Sequence, residues 1–469
     1  MASDRRGRYT CAMTASLARG ALDLIGDTPL VRVSRLDTGP CELWLKLESQ
    51  NPGGSIKDRI GRSMIEAAEQ DGKLGPHQRR LVEATAGNTG LGLALVAAQK
   101  GYALTLVIPD KMSREKILHL KALGARVVIT RSDVEKGHPD YYQDLALAIA
   151  REDGAFFVNQ FENPANPLAH ERTTGPEIAA ALGGKLDAMV VGVGSGGTLT
   201  GLSRAFARLV PGCEMVLADP EGSILAGYVR TGKIGKAGSW VVEGIGEDFV
   251  PANADLSRVR HAYTVPDRES LAAARDLLRH EGILGGSSTG TLLAAALRHC
   301  RAQSEPRRVC TLVPDSGNKY LSKMYDDFWM ADQGFLDRTP TGDLRELVSR
   351  RHAEGAVVTV KPDEPLLIAY GRMKQHDVSQ LPVLEAGKVV GILDESDLLA
   401  AAADDEARLR DAVRDHMTTR LETVPASARA RDLMPLFAQG LVAIVVDGDQ
   451  FLGLVTRMDV VNHLRRKLH

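Results

Sequence analysis

Residues 81–100 read LVEATAGNTGLGLALVAAQK and are followed by Gly101. A short apolar run, Leu81–Ala84, gives way to a loop of small and polar residues. A helix-forming stretch follows and stops at a glycine, the residue best suited to end a helix in the left-handed conformation. The order strand, loop, helix then repeats outward. Leu104–Ile108 predicts the next strand, and Ser113 is placed as the N-cap of a helix over REKILHLKAL that ends at Gly124. Val127–Ile129, Phe156–Val158, Met189–Val193 and Met215–Ala218 continue the series. Strands separated by helices of about 10–15 residues mean βαβ units and a parallel sheet, here over roughly residues 20–330. Ligands of such sheets sit at the C-terminal ends of strands, in the loops that lead into helices.

The whole chain has 469 residues, enough for two to four domains. Apolar residues make up 44% and charged residues 25%, which is ordinary for a globular protein and excludes a fibrous or disordered chain. Lys and Arg number 58 against 60 Asp and Glu, a net charge of −2, and no long basic run occurs, so no nucleic-acid partner is expected. Aromatics at 4% also argue against a surface for stacking single-stranded bases. No apolar run approaches the roughly 18 residues of a membrane span. The basic start, MASDRRGRYTCAMTAS, leads into no apolar signal core. Cysteines 11, 41, 213, 300 and 310 are scattered without a CxxC pair. They read as reduced cytosolic thiols, with neither a disulfide framework nor a metal site, and a cytoplasmic protein is expected. The scattered histidines, among them His170, His280 and His299, lack metal-ligand spacing and read as structural or solvated.

Near residue 330 the character changes. DFWMADQGFLDRTPTGD (327–343) carries the breakers Gly334, Pro340 and Gly342 and reads as a linker, placed at 331–342. Beyond it lies an internal duplication: VVGILDESDLL (389–399) aligns with FLGLVTRMDVV (451–461), and LPVLEAGK (381–388) with AIVVDGDQ (443–450), both at an offset of 62 residues. Each copy reads as helix, strand, turn, strand, helix, with the copies placed at about 343–403 and 411–469. The expected layout is thus a flexible extension over 1–20, a catalytic domain over 21–330, the linker, and a paired repeat over 343–469.

Four loops carry chemistry. In NPGGSIKDR (51–59), Lys57 falls in the first turn of a helix whose apolar face is Ile56, Ile60 and Met64. The positive end of a helix disfavours a second cation, so the lysine pKa is expected to fall and free an amine able to form a Schiff base with an aldehyde. Read alone, it is more often a solvated surface lysine. The loop TAGNTG (85–90) offers backbone N–H groups to a carboxylate or phosphate, although it is also a common capped βα turn. GVGSGGT (192–198) has the glycine content of a phosphate cradle. It equally matches GxGxxG, and Asp219, 22 residues beyond Gly197, stands where a dinucleotide's ribose acid would be, so an NAD-dependent oxidoreductase competes on this motif. GGSSTG (285–290) offers hydroxyls at a helix start, which read either as capping groups or as partners for a ring nitrogen.

In this order the four loops resemble the fold-type II pyridoxal-phosphate (PLP) enzymes, in particular the cysteine synthase/cystathionine β-synthase family. The resemblance covers roughly residues 22–337, through LIGDTPLVRV (24–33), residues 51–69, TAGNTGLGLA (85–94), NQFENPANPLAHERTTGPEI (159–178), GVGSGGTLTG (192–201), ADPEGS (218–223), VEGIGEDFVP (242–251) and EGILGGSSTGT (281–291). It implies an α/β fold of two three-layer α/β/α subdomains around mostly parallel sheets. It implies that Lys57 joins PLP covalently and, once displaced by an amino acid, acts as general base. Asn88 would bond the ring oxygen. Gly194, Ser195, Gly196, Gly197 and Thr198 would bind the phosphate. Ser288, rather than Ser287, would face the ring nitrogen and leave it largely unprotonated. Thr85, Gly87 and Thr89 would hold the substrate carboxylate with Gln160 nearby, and Gly246 would line the entry. The implied reaction is β-replacement, L-serine and L-homocysteine giving L-cystathionine and water, with hydrogen sulfide production as an accessory activity. A cysteine synthase using O-acetylserine and sulfide, and a dehydratase, are the alternatives within the class. A non-catalytic sensor is a further one.

Three departures from the family pattern stand out. Ala86 replaces a frequent serine, Glu247 a tyrosine of the animal and yeast enzymes, and the first histidine is His77, so no haem is expected. The repeats resemble a pair of CBS domains, which often bind adenosyl ligands such as S-adenosylmethionine. The second copy keeps the ribose and phosphate signature in Gly453, Thr456 and Asp459, whereas Asp394 replaces the hydroxyl residue of the first, where an acid repels phosphate. A structural or dimerising pair without ligand is the alternative. A homodimer or homotetramer is expected.

Overall fold

The computed structural model describes residues 18–85, 87–110, 112–336, 341–348 and 350–466. Ala86 and the larger part of the N-terminal extension lie outside them, as does part of the linker. The chain divides into two compact units, the first ending at Met324 and the second beginning at Tyr325.

The first unit holds two sheets. One has four parallel strands in the order Arg126–Thr130, Ala103–Pro109, Arg80–Ala84, Phe156–Phe157. The other has six, in the order Leu30–Arg32, Glu42–Lys46, Arg308–Leu312, Ala188–Val191, Glu214–Pro220, Val259–Val265, with only the first pair antiparallel. Central strands are buried on both faces, as parallel sheets covered by helices require: Ala188–Val191 is buried throughout, and Leu81, Val82 and Ala84 are nearly inaccessible. Each sheet has its own apolar core. One gathers Leu43, Met189, Val216, Phe206 and Leu292, the other Ile60, Met64, Leu91, Leu106 and Leu120. Every such side chain contributes about 1.5–3 kcal/mol of burial. The fold is the mixed α/β class expected of fold-type II PLP enzymes.

The helix after Arg80–Ala84 runs Asn88–Lys100 and ends on left-handed Gly101, as its sequence indicates. The helix Arg114–Ala122 does follow Ser113, but the serine hydroxyl makes no cap; it is buried without a partner. Asp219, the proposed ribose acid, is buried at the end of its strand and accepts from Ala226 N–H (2.8 Å). It caps the next helix turn instead of facing a nucleotide.

In the second unit the two copies repeat in detail. Gln380–Glu385 pairs with Lys388–Asp394, and Ala443–Asp447 with Gln450–Val455, both antiparallel. The ladders bulge after Val383 and after Val445, 62 residues apart. A parallel segment joins each, through Val360 in the first and Thr423–Pro425 in the second. Leu344, Leu347 and Val348, from the head of the repeat region, pack into the core of the second copy with Val445 and Val455. No helix among the described residues is long and apolar enough to cross a membrane.

Candidate active site

Lys57 is the first residue of the helix Lys57–Gln70. It is half-buried, and its amine is pulled down to about 8, chiefly by burial, with Asp315 and Glu247 acting against the shift. The lowered pKa anticipated from the helix dipole is therefore present, but its main cause is desolvation. Lys57–Gln70 crosses Asn88–Lys100 at glycines: a Cβ on Gly61 would lie 2.6 Å from the Gly92 carbonyl carbon.

Motif reading missed the segment that ties the loops together. Residues 313–320, VPDSGNKY, leave the strand Arg308–Leu312 at its C-terminal end. Pro314 O accepts from Ile56 N–H (2.8 Å), Ser316 N–H donates to Gly54 O (3.0 Å), and Asp315 O accepts from Gly286 N–H (3.0 Å). One strip thus holds both the lysine loop and the 285–290 loop. Asp315 Oδ2 accepts from Asn88 Nδ2 (2.7 Å) and Tyr320 Oη (2.7 Å), while Lys319 Nζ donates to Asn88 Oδ1 (3.0 Å). Tyr320 Oη accepts from buried Lys116 (2.9 Å), which pairs with Glu243 (2.6 Å), itself paired with Lys323 (2.8 Å). The signal was a polar run at a strand's C-terminal end, a place where chemistry is to be expected.

The 85–90 loop and Gln160 meet as anticipated. Thr85 Oγ1 accepts from Gly87 N–H (3.1 Å), Thr89 Oγ1 donates to Gln160 Oε1 (2.6 Å), and Gln160 Nε2 donates to Ala84 O (2.9 Å). Gly87 is at φ +121°, and a Cβ there would lie 2.7 Å from Lys116 Cδ. Beneath the loop, fully buried Glu83 accepts from Ala84 N–H (2.9 Å) and Gln160 N–H (3.2 Å). Burial pushes its carboxyl up to about 8, although those N–H groups oppose the shift.

Residues 194–198 lead into the helix Gly197–Leu209. Its first N–H groups have no intrahelical acceptor and point out of the helix end. Gly196 is left-handed (φ +86°), and a Cβ on Gly197 would overlap Asn166. Only a bare backbone fits there, which is what a phosphate cradle requires. Asn166 Nδ2 donates to Ser195 Oγ (2.9 Å), and Thr198 Oγ1 sits 3.2 Å from His170 Nε2. Burial holds His170 well below the usual imidazole range, with Lys57 and Arg59 adding to the effect. Asn166 and His170 lie in the NPLAHE string, but nothing in one sequence separates them from structural residues. Gly246 N–H donates to Val193 O (2.8 Å), which brings the 244–247 loop to residues 194–198, and the Glu247 carboxylate approaches Gly194. At the fourth loop, Ser287 Oγ already accepts from Glu243 N–H (2.9 Å), and Ser288 beside it is buried. The donor set fits PLP: an amine with a lowered pKa, an amide, a backbone anion cradle and a buried hydroxyl share one set of loops.

In the second unit, Thr456 N–H and Oγ1 both donate to Asp459 Oδ2 (2.7 and 2.6 Å), and Asp394 and Asp397 form a reciprocal capping box. The signature positions of both copies thus begin helices. Among the described residues no group of three or more His, Cys, Asp or Glu side chains could hold a metal ion.

A family profile described as pyridoxal-phosphate dependent enzyme matches residues 21–315, and a CBS-domain profile matches 345–404 and 413–466. The class is therefore a PLP-dependent enzyme carrying a CBS pair. Cystathionine beta-synthase of Dictyostelium discoideum is 36% identical over 462 residues, spanning 95% of this chain and 92% of that one. The Saccharomyces cerevisiae enzyme of the same name is 32% identical over 96% and 98%. The chain belongs to the cystathionine beta-synthase family. Among solved structures, a hydrogen sulfide-producing enzyme from Fusobacterium nucleatum superposes with a TM-score of 0.60 at 35% identity, covering 65% of this chain and all of that one. An O-acetylserine dependent cystathionine beta-synthase from Helicobacter pylori gives 0.59 at 35%, covering 66% and 98%.

Proposed function

We propose that this enzyme condenses L-serine with L-homocysteine to give L-cystathionine and water. The observation that carries the reading is the place of Lys57, the first residue of its helix and held within the loops described above, where burial lowers the pKa of its amine to about 8. When bound, PLP supplies an electron sink that makes an amino acid's α-proton removable and its β-substituent a leaving group.

The chain's own groups do the rest. Lys57 holds the cofactor and then, as a free amine, takes the α-proton and passes it to the departing hydroxyl oxygen as water forms. The Cβ–O bond breaks, a Cβ–S bond forms, and the proton given up by the thiol is returned through the Lys57 amine to Cα. Thr85, Gly87, Thr89 and Gln160 orient the substrate carboxylate. Gly194, Ser195, Gly196, Gly197 and Thr198 hold the phosphate against the helix end. Ser288, whose neighbour Ser287 is engaged by Glu243, would face the ring nitrogen, and Asn88 would bond the ring oxygen. Gly246 borders the channel for the thiol.

The test is product identification by mass spectrometry, with serine or O-acetylserine offered against homocysteine or sulfide. Cystathionine from serine and homocysteine, lost in Lys57→Ala, is expected. Dominant cysteine from O-acetylserine and sulfide, without cystathionine, supports a cysteine synthase instead. That second reading is favoured by the solved relatives named for hydrogen sulfide production and for O-acetylserine dependence.

The same reading takes the enzyme to be a cytoplasmic homodimer or homotetramer; the buried, unpaired Cys41, Cys213, Cys300 and Cys310 support a reducing compartment. It keeps the layout 21–330 catalytic domain, 331–342 linker and 343–469 CBS pair. Thr456 and Asp459 are assigned to an adenosyl ligand such as S-adenosylmethionine. A rise in melting temperature with that compound supports the assignment, since a ligand of the folded state alone must raise it. No shift at saturation refutes it.

A further inference from the structure

We infer that Lys319 is a positioning residue: together with Asp315 it locks the direction of the Asn88 carboxamide, so that Asn88 presents an N–H, and not its carbonyl oxygen, to the cofactor. The inference rests on the PLP reading above and adds to it a residue that none of the sequence motifs contains.

The argument is one of donors and acceptors. Lys319 Nζ lies 3.0 Å from Asn88 Oδ1 and 3.0 Å from Gly54 O. Both partners are oxygens, so the amine donates to both. On the other side of the amide, Asp315 Oδ2 lies 2.7 Å from Asn88 Nδ2. A carboxylate only accepts. Turning the amide over would set N–H groups against the ammonium and a carbonyl oxygen against the carboxylate. Two hydrogen bonds would become two repulsions among groups largely shielded from water, where such contacts are most costly. The orientation is therefore determined. Asn88 Oδ1 is consumed by Lys319, one Nδ2 hydrogen by Asp315, and the second Nδ2 hydrogen is left to donate. That matches an anionic ring oxygen, which can only accept.

Lys319 also couples two loops. Through Gly54 O it grips the turn that delivers Lys57 three residues later, and through Asn88 it grips the start of the next helix. Its stem packs against left-handed Gly54, where a Cβ would come within 3.5 Å of Cε and Nζ. Asp315 is anchored in turn: its Oδ2 accepts from Tyr320 Oη (2.7 Å), and its backbone oxygen from Gly286 N–H. The competing account is that Lys319 merely neutralises the acidic groups around it, Asp315 and Asp58. The two accounts differ in whether its effect passes through Asn88.

A double-mutant cycle on the full chain decides. The dissociation constant of PLP for apoprotein is measured by equilibrium dialysis in wild type, Lys319→Met, Asn88→Ala and the double variant, with the cofactor-free melting temperature recorded for each. Lys319→Met is expected to weaken PLP binding about tenfold, the worth of one hydrogen bond made by a charged group. In the Asn88→Ala background the same change is expected to add nothing, because its target is gone. An unchanged constant in Lys319→Met overturns the proposal, as does an equal tenfold loss in both backgrounds. Should Lys319→Met fail to fold, Lys319→Gln, one bond too short to reach Asn88, carries the same expectations. A wild-type chain that binds no PLP defeats the parent reading, an outcome distinct from either.

Discussion

A Cβ placed on Gly92 would lie 2.4 Å from the carbonyl oxygen of Lys57. The helix bearing the lysine and the helix that follows the 85–90 loop thus touch backbone to backbone, and the lysine's position depends on a residue that carries no side chain. Gly92→Ala is expected to force the helices apart, lowering stability by about 1–3 kcal/mol and weakening cofactor binding. Urea denaturation together with PLP titration checks both effects. A variant with wild-type stability and affinity contradicts the close approach.

The amine of Lys57 titrates near 8 instead of 10.5, lowered by burial. Only the unprotonated amine captures an aldehyde. The rate at which apoprotein takes up PLP is therefore expected to rise about tenfold per pH unit well below pH 8 and to level off above it. Stopped-flow absorbance against pH measures this, with Lys57→Ala as the blank. A rate still climbing steeply through pH 9–10 means an unshifted lysine.

Burial raises Glu83 to about 8, against 4.5 in an unfolded chain. The folded state then binds a proton that the unfolded state releases, so between those values stability falls as pH rises. Glu83→Gln removes that titration while keeping the shape. The melting temperature of wild type minus that of Glu83→Gln is expected to decline between pH 5 and pH 8. A flat difference shows that Glu83 is ionised in the fold.

His170 is held neutral and sits 3.2 Å from the Thr198 hydroxyl. Its replacement by Phe is expected to weaken binding of PLP several-fold, by loss of one neutral hydrogen bond in the cradle. Binding of pyridoxal, which lacks the phosphate, should be unaffected. Equal losses for both compounds would make His170 a general packing residue.

The cap of the second CBS copy joins Thr456 to Asp459. Asp459→Ala is expected to lower stability by about 1 kcal/mol with no ligand present, since an N-terminal helix cap is lost. Thermal unfolding at several urea concentrations reads it. No loss would free Asp459 for a role in ligand binding alone.

Much of this protein was legible in its sequence. The βα rhythm around Leu81–Lys100, the 62-residue repeat and the positions of Lys57, the 85–90 loop and the 192–198 glycines follow from local patterns, because strand and helix periods, glycine turns and helix starts are properties of neighbouring residues; Asn88 was singled out by the family resemblance. Local rules also misled: Ser113 stands at a cap position but is buried with its hydroxyl unpaired. Asp219 fits a nucleotide fingerprint but closes a helix turn. Tertiary structure alone decided that Asp315 and Lys319, more than 200 residues from Asn88 along the chain, grip its amide. The same holds for His170 beneath Thr198 and for burial as the chief cause of the Lys57 shift. Hydrogen bonds and desolvation depend on which distant groups share a space, and a single sequence records the groups without recording their distances.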